Sequence, residues 1–383
     1  MQRSNSMSVK KSEIITTAKP HTIKKFELIE MYIKAWAQKL MRNKACNGLI
    51  FIDCMCNSGV YKDINGNIVY GTPIRVANAL LDVARTYSDK QVFLYFNDLN
   101  TARVEELKKH LPPDERNFKI ITLNEDATVL LDTIGPQLNE SSHYNYFLLY
   151  DPYNAKIEWR VLVPFFRYWG EVMINHALMD PIRAITSAKS ATAIEKYEHT
   201  YLEEFEKLLP YGSNQAAYEN RVAEIIDHMK GNREYYVASF PFYNRNRSLM
   251  YDLIHCTSNI EGFKLYKKCA WKVFEGHSSL KNKPSRFIQM ELDFSNGAGV
   301  TTPTDDTCYG INDIAKYLRS EFAGRKHVFL DELWDALDYH PIFPSEGFRN
   351  EIKKELCDYY DARTEMAFNP KTGKRQQAIS FVD

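Results

Sequence analysis

The sequence predicts an α/β protein with a doubly wound, mostly parallel sheet, followed by a smaller domain of helices and a hairpin. Short apolar runs alternate with helical stretches from residue 48 to residue 178, which is the pattern of a parallel sheet covered by helices on both faces. At 383 residues, 44% of them hydrophobic, the chain is long enough for one large and one small domain.

The elements of the large domain follow in a regular order. After a polar start, residues 1–20, which we expect to be flexible, apolar residues at helical spacing predict an amphipathic helix over 21–43. Five apolar runs then predict strands: 48–53, 92–98, 118–123, 145–151 and 171–178. Helical stretches lie between them: 73–87, 101–111, 127–138 and 159–169. Strand alternating with helix predicts a parallel, Rossmann-like sheet.

The second half of the large domain has a different pattern. Residues 184–230 are strongly helical and charged, and we interpret them as a helical insertion. Strands at 235–242 and 249–257 flank a turn at Asn244–Asn246, which predicts an antiparallel hairpin at the edge of the sheet. A parallel core that ends in a hairpin suits a class I methyltransferase sheet better than a dehydrogenase sheet. We place this domain at 21–295.

The C-terminal elements predict a winged-helix-like domain at 308–383, after a polar linker at 296–307. Their order is the winged-helix order: a helix at 311–320, a short strand around Val328, helices at 330–338 and 345–358, and strands at 362–368 and 377–383 joined by 369–375.

The predicted wing carries Lys371, Lys374 and Arg375, which are candidates for contacts with nucleic-acid phosphates. The preceding helix mixes basic and acidic side chains, so docking to another protein is equally favoured. Its charged residues are Arg349, Lys353 and Lys354 against Glu346, Glu351, Glu355 and Asp358. We expect the nearby aromatic residues, Tyr359 and Tyr360, to belong to the core.

Overall composition excludes some classes of protein. Forty-nine basic and 49 acidic residues cancel, so any contact with nucleic acid must come from a local patch. There is no apolar run of about 18 residues and no signal-peptide pattern, which predicts a cytoplasmic protein without a membrane segment. The seven cysteines are scattered and lack metal-ligand spacing, so we expect reduced thiols and no metal.

Polar side chains end the predicted strands, and the ligand crevice of an open α/β sheet lies at that edge. In the order of the five strands they are Asp53; Asp98; Asn124, Glu125 and Asp126; Asp151; and Asn175 with His176. A carboxylate after the second strand can accept both hydroxyls of a ribose, so Asp98 is the candidate for that role. Residues of these types also follow strands because they make turns. Asp98 could also cap the helix at 101–111, although Asn100 is better placed.

Asp151-Pro152-Tyr153-Asn154 follows an apolar strand directly. It resembles the Asp-Pro-Pro-Tyr box of methyltransferases that act on exocyclic amino groups, in which the carboxylate accepts a hydrogen bond from the amine and the ring stacks on the base. A simple strand-to-loop transition at Pro152 is the alternative.

The chain also resembles the three-Cys-motif partner family, TcmP, which occurs in mobile elements beside a radical-type three-cysteine protein. The likeness rests on His21-Thr22 with Lys25 and Ala35-Trp36, on the loop Asp53 to Tyr61, on Gly71-Thr72-Pro73, on 151–154 and on 253–265. It implies a methyltransferase-like fold and a three-cysteine-motif partner. The sequence departs from the family where Asn57 replaces a glycine and where Cys54 and Cys56 enter the loop.

These observations favour an S-adenosylmethionine-dependent methyltransferase that acts on a nucleobase nitrogen in DNA or RNA. Asp53, Asn57 and Gly59 are expected to hold the methionine end of the cofactor. Asp98 is assigned to the ribose and Asp126 to the adenine edge, while Asp151, Pro152 and Tyr153 position the acceptor.

Two alternatives remain open. One is a catalytically silent adaptor with a methyltransferase fold, which the Asn57 departure favours. The other is a nicotinamide-dependent oxidoreductase, although the Gly-x-Gly-x-x-Gly loop is missing after residue 53. A nuclease is less favoured still, because no compact Asp, Glu and Lys cluster stands out.

Overall fold

The computed structural model describes residues 14–138, 142–243, 249–278 and 308–381, and its centre is a seven-stranded sheet. From one edge to the other the strands are β6 (Phe118–Leu123), β5 (Gln91–Asn97), β2 (Gly48–Asp53), β7 (Tyr144–Tyr150), β8 (Gly170–His176), β10 (Leu249–Thr257) and β9 (Tyr236–Tyr243). The first five are parallel, and β10 runs antiparallel to both of its neighbours. The predicted Rossmann-like sheet with a terminal hairpin is therefore confirmed.

Helices cover both faces of this sheet. Alternation along β7 shows why: Phe147 and Leu149 belong to one buried cluster, whereas Tyr146 and Leu148 belong to the other. The first cluster contains residues of α1 (Pro20–Met41), α2 (Thr72–Thr86), α3 (Thr101–Lys108) and α10 (Ile260–Val273). The second contains residues of α4 (Ala127–Ile134), α5 (Trp159–Leu162) and the insertion.

The insertion lies between β8 and β9 and is helical, as expected. It consists of α6 (Met179–Ala184), α7 (Ala191–Tyr201), α8 (Phe205–Leu208) and α9 (Gln215–Lys230). Tyr197, Tyr201 and Tyr218 are almost completely buried, which fixes α7 and α9 against the second face of the sheet.

Some elements differ from the sequence predictions. Thr16–Thr17 form a strand, β1, that pairs with β3 (Val60–Lys62), and β3 pairs with β4 (Ile68–Tyr70). The expectation of a flexible segment through residue 20 is therefore wrong for these residues, because backbone pairing holds them. The helix predicted over 159–169 is also wrong in length. After α5 the chain forms a 3₁₀ turn at Val163–Phe165, where Pro164 has no N–H to continue an α-helix.

The C-terminal elements occur in the expected order: α11 (Ile311–Glu321), β11 (Val328–Phe329), α12 (Leu330–Asp338), α13 (Arg349–Tyr359), β12 (Arg363–Asn369) and β13 (Lys374–Ser380). The three strands form a sheet in the order β11-β13-β12. The winged-helix assignment stays a prediction. The proposed linker at 296–307 and the turn at 244–246 lie outside the described residues.

Helix α10, which the sequence analysis did not identify, joins the two parts of the chain. The ammonium of Lys267 donates to the carbonyl oxygens of Leu337, Asp338 and His340 at 2.9, 2.9 and 2.6 Å. The indole of Trp271 is buried, and its N–H donates to Ile342 O at 2.9 Å. The C-terminal elements therefore share a continuous core with the sheet. Among the described residues, no helix is long and apolar enough to cross a membrane.

Candidate ligand site at the carboxyl edge of the sheet

The carboxylates predicted at the strand ends meet at one edge of the sheet. Asp53 ends β2, which lies between β5 and β7, and Asp98 and Asp151 directly follow those two strands. Asp53 is 2% exposed and Asp98 is 1% exposed. Burial, first, and the negative charge of Asp151, second, raise the pKa of Asp53 well above its usual value. A cation placed here would favour the ionised form of Asp53.

Asp98 is held by four groups of the chain itself. Its Oδ2 accepts from the backbone N–H of Asn57 at 3.0 Å and from the hydroxyl of Tyr153 at 2.5 Å. Its Oδ1 accepts from the backbone N–H of Asn100 at 2.8 Å, and the guanidinium of Arg103 lies 3.8 Å from Oδ2. The side chain of Asn100 caps α3, as the sequence analysis favoured, so Asp98 is not needed for capping.

The loop after β2 keeps the backbone shape that a glycine would give. Asn57 has φ 59° and Gly59 has φ 68°, both in the left-handed region. Asparagine tolerates this region better than other residues with a Cβ, because its short amide bonds locally. Here its Oδ1 accepts from the N–H of Ser58 at 2.6 Å. The replacement of glycine by Asn57 therefore preserves the turn. This replacement no longer favours a silent adaptor over a cofactor-binding protein.

We expect the Asn57→Gly variant to keep the wild-type melting temperature within experimental error, because glycine adopts the same φ without strain. Asn57→Val should lower the free energy of unfolding by about 1–2 kcal/mol, since a β-branched residue is strained at positive φ. Urea unfolding of both variants checks this. Equal stabilities for Asn57→Gly and Asn57→Val would contradict the assigned backbone conformation.

The two cysteines of the loop are buried thiols. Burial raises the pKa of both Cys54 and Cys56 well above the usual range, and the charge of Asp53 adds to it. Their sulfur atoms lie 3.4 Å from the carbonyl oxygens of Leu149 and Asn57, respectively. These thiols are therefore poor nucleophiles. Among the described residues, no group of three or more His, Cys, Asp or Glu could hold a metal ion.

Asp151 forms a salt bridge that the sequence analysis did not identify. The ammonium of Lys25, from the first turns of α1, donates to Asp151 Oδ2 at 2.6 Å, and Asn175 Nδ2 donates to Oδ1 at 2.6 Å. Lys25 is 6% exposed and lies 5.0 Å from the centre of the Tyr251 ring. The available sequence signal for this partner was a lysine near the start of the predicted helix at 21–43.

Tyr153 does not face an open acceptor site in this structure. Pro152 is buried and turns the chain so that the Tyr153 hydroxyl reaches Asp98. Arg103 Nη1 donates to the same hydroxyl oxygen at 2.7 Å, and its guanidinium lies 5.1 Å from the ring centre. Arg103 had no role in the sequence analysis. It stands on the first turn of α3, where a side chain can reach back to the end of β5.

Asp126, which follows the edge strand β6, caps a helix. It is exposed, and its Oδ1 accepts from the N–H of Thr128 at 2.8 Å, which caps α4. The neighbouring loop is held by Asn97, whose amide donates to the carbonyl oxygens of Cys54 and Glu125 at 3.0 Å each. Among the described residues only Oδ1 of Asp126 accepts a hydrogen bond, so Oδ2 is left for the expected contact with an adenine edge.

Titratable side chains with shifted pKa values also lie on β8, on its neighbour β10 and on α9 of the insertion. Burial lowers the pKa of His176 to about 3, so its imidazole is neutral. Burial raises the pKa of Asp252 to about 6, and burial together with the charge of Asp252 raises the pKa of Glu219 to about 8. Asn175 Oδ1 and Asp252 Oδ1 are buried and have no hydrogen-bond partner among the described residues. Asn175 therefore offers an acceptor atom beside Asp151.

The basic residues of the predicted wing are exposed. Lys371 lies in the connection between β12 and β13, and Lys374 and Arg375 begin β13. No acidic residue occurs from 366 to 381. Phe368, which pairs with Arg375 across the two strands, is 63% exposed, and Met366 is 55% exposed.

The aromatic residues at the end of α13 differ from the expectation that they belong to the core. Tyr359 is 72% exposed, so that expectation is wrong for it, whereas Tyr360 is half-buried and donates to Asn312 Oδ1 at 2.9 Å.

No family model matches the chain, and no curated protein does. Solved structures match at low identity. They include Trm1 from Pyrococcus horikoshii with S-adenosyl-L-methionine, at 12% identity and TM-score 0.34 over 62% of this chain and 55% of that one. The O-methyltransferase TomG from Streptomyces achromogenes, in complex with SAM, matches at 11% and 0.32 over 59% and 77% of the two chains. The methyltransferase domain of bacterial CtHen1-CN matches at 11% and 0.29 over 60% and 99%. The chain thus spans about half the length of Trm1, and likenesses of this size do not extend to an activity.

Proposed function

We propose that this chain binds S-adenosylmethionine at the carboxyl edge of its sheet and transfers the methyl group to an exocyclic amino group of a nucleobase. The observation that carries the proposal is the convergence of Asp53, Asp98 and Asp151 at the ends of three adjacent strands. Two cations, Lys25 and Arg103, stand beside them. With Asp53 ionised, the five residues carry one excess negative charge, which a cationic ligand would neutralise.

The residues fit this cofactor in charge and in shape. The ligand carries a positive sulfonium and a positive ammonium, and the raised pKa of Asp53 shows a carboxyl that a nearby cation would ionise. Asn57 and Gly59 carry no bulky side chain, so the backbone of this loop could approach the cofactor closely. Asp98 would accept the ribose hydroxyls, and Asp126 would contact the adenine edge.

Bound here, the cofactor would supply an electrophilic methyl group. Asp151 would accept a hydrogen bond from the acceptor amine and take its proton as the nitrogen–carbon bond forms. Asn175 Oδ1, buried beside it without a partner, would accept a second N–H. Lys25 would hold the Asp151 carboxylate in its orientation. The contribution to the rate would come mainly from fixing the reacting atoms in line.

Calorimetric titration of the purified protein with S-adenosylmethionine and S-adenosylhomocysteine tests this proposal. We expect dissociation constants in the micromolar range. A folded sample that binds neither ligand would overturn the proposal and favour a silent adaptor. That alternative is supported by a specific observation: in the free chain, Tyr153 and Arg103 already occupy the outer side of Asp98.

We propose membership of the TcmP family, and a three-cysteine-motif partner, on the resemblance of the sequence alone. Co-purification of the two tagged proteins from one expression host would test the partner. Recovery of this chain without the three-cysteine protein would argue against that association.

We also propose that the C-terminal hairpin contacts nucleic acid. Lys371, Lys374 and Arg375 would meet phosphates, and the exposed Phe368 and Met366 on the neighbouring strand would contact bases. The absence of acidic residues between 366 and 381 supports contact with phosphates, because no carboxylate in this segment would repel them. Protein docking is the other outcome, since α13 carries charges of both signs.

Reversal of two wing charges, Lys371→Glu with Lys374→Glu, should weaken binding of a fluorescein-labelled 20-nucleotide single strand by at least about tenfold and reduce its salt dependence. Fluorescence anisotropy at two or more salt concentrations measures both effects. The control is Lys44→Glu with Lys119→Glu, two exposed lysines near the amino edge of the sheet. Equal losses in both double variants would show non-specific charge attraction and not a wing site.

A further inference from the structure

We propose that Tyr153 is a latch that closes the Asp98 site in the free protein and is displaced when a nucleoside with free ribose hydroxyls binds. This inference rests on the proposed function, because it takes Asp98 as the ribose-binding carboxylate. It adds a specificity-determining residue and an order of binding to that site.

The contacts of Asp98 are of two kinds. The N–H groups of Asn57 and Asn100 belong to the backbone and hold the carboxylate in any state of the site. The Tyr153 hydroxyl and the Arg103 guanidinium belong to side chains, which can rotate away. Both replaceable contacts are made at Oδ2, and they are the ones a ligand would substitute.

The Tyr153 hydroxyl is chemically equivalent to the group it would exclude. It donates one O–H hydrogen bond to Asp98 Oδ2, as a ribose hydroxyl would. Although the residue is 61% exposed, its hydroxyl is bonded on both sides, because Arg103 Nη1 donates to the same oxygen at 2.7 Å. Arg103 Nε is buried and has no hydrogen-bond partner in the part of the chain that the structure describes. The arginine is therefore incompletely satisfied with the latch closed, and a bound ligand could offer it an acceptor.

Displacement of the latch would order the two binding events. In the closed state the Tyr153 hydroxyl occupies Oδ2 of Asp98, and Asp98 is only 1% exposed. A ligand that takes the hydrogen bonds of Asp98 frees the ring of Tyr153, which follows Asp151 by two residues. The ring then becomes available to a planar acceptor beside Asp151. The cofactor would therefore bind first and the acceptor second.

Removal of the hydroxyl alone gives a direct test. A closed latch lowers the apparent affinity by the fraction of molecules that are open. One hydrogen bond to a carboxylate is large enough to make Tyr153→Phe bind S-adenosylhomocysteine about tenfold more tightly than the wild type. Tyr168→Phe is the matched control, because Tyr168 is 60% exposed and precedes the amino end of β8, at the opposite edge of the sheet from this site.

Two measurements on the full chain decide the outcome: calorimetric titration with S-adenosylhomocysteine, and NMR of protein carrying ¹³C in the tyrosine ring. Tighter binding by Tyr153→Phe but not by Tyr168→Phe, with a ligand-dependent shift of the Tyr153 resonance, would support the latch. Equal or weaker binding by folded Tyr153→Phe would overturn the latch while the proposed function stands. No binding by the wild type or by either variant would overturn both.

Discussion

Replacement of Asp98 by alanine should abolish detectable binding of S-adenosylmethionine, with a loss of at least about 100-fold in affinity. Two ribose hydroxyls would lose a shared charged acceptor, and hydrogen bonds to charged groups contribute about 1.5–3 kcal/mol each. Calorimetry of the variant beside the wild type measures the loss. Because Asp98 also orients the loops at Asn57 and Asn100, a melting curve must accompany the titration.

Asp126→Ala gives the comparison for this experiment, because the proposed function assigns Asp126 a single contact at the adenine edge. Asp126 is a carboxylate at the end of the neighbouring strand, and its observed contact caps α4. Its loss should lower the free energy of unfolding by about 1 kcal/mol and weaken ligand binding far less than the loss of Asp98. Wild-type affinity in a folded Asp98→Ala variant would remove Asp98 from the site.

The strand ends were predictable from the sequence because each lies directly after a continuous apolar run. A buried strand has to end where polar residues begin, and parallel strands bring those ends to one edge. Asp53, Asp98 and Asp151 were found in this way, and the structure places them on adjacent strands. The same argument could not give the pairing partners, since Lys25 precedes Asp151 by 126 residues and belongs to a different element.

Where the sequence analysis failed, the cause was a contact that local patterns do not encode. The assignment of Tyr153 to the acceptor stays a prediction, but the contact of its hydroxyl with Asp98 could not be inferred from its place after Asp151. Asn57 was interpreted as a defect in the loop because residue type was compared without backbone conformation. Its φ of 59° shows that asparagine supplies the same turn. Tyr359 was assigned to the core because aromatic residues usually lie there, and nothing in α13 covers it.

Two of the three carboxylates at this edge are each paired with one cation from a covering helix. Lys25 of α1 pairs with Asp151, and Arg103 of α3 stands beside Asp98. Asp53, between them, has no such cation within salt-bridge distance among the described residues, and burial, first, and the charge of Asp151, second, raise its pKa. The ammonium of a ligand would complete the set. The carboxyl of Asp53 would thus be favoured in its ionised form when the cofactor is present.

Replacement of Asp151 should separate methyl transfer from cofactor binding. We expect Asp151→Asn to lower the transfer rate by at least about 100-fold, because an amide cannot take a proton from the acceptor amine. Affinity for S-adenosylhomocysteine should change by less than about threefold. Transfer of labelled methyl groups to oligonucleotides and calorimetry of the same sample measure the two quantities. An unchanged rate in the variant would remove Asp151 from the mechanism.

Asp151→Ala should also reveal the buried salt bridge by its effect on stability. The substitution leaves Lys25, whose side chain is 8% exposed, without a counter-charge, and breaking such a pair costs about 3 kcal/mol. The control is Asp132→Ala, which breaks the 2.7 Å pair with Arg160 on the surface and should leave the melting curve unchanged within error.

In the double variant Lys25→Met with Asp151→Ala, neither charge of the pair remains, so much of the lost stability should return. Transfer should stay absent, since the carboxylate is still missing. Stability that fell further in the double variant would show that Lys25 and Asp151 act independently and would contradict the assigned pair.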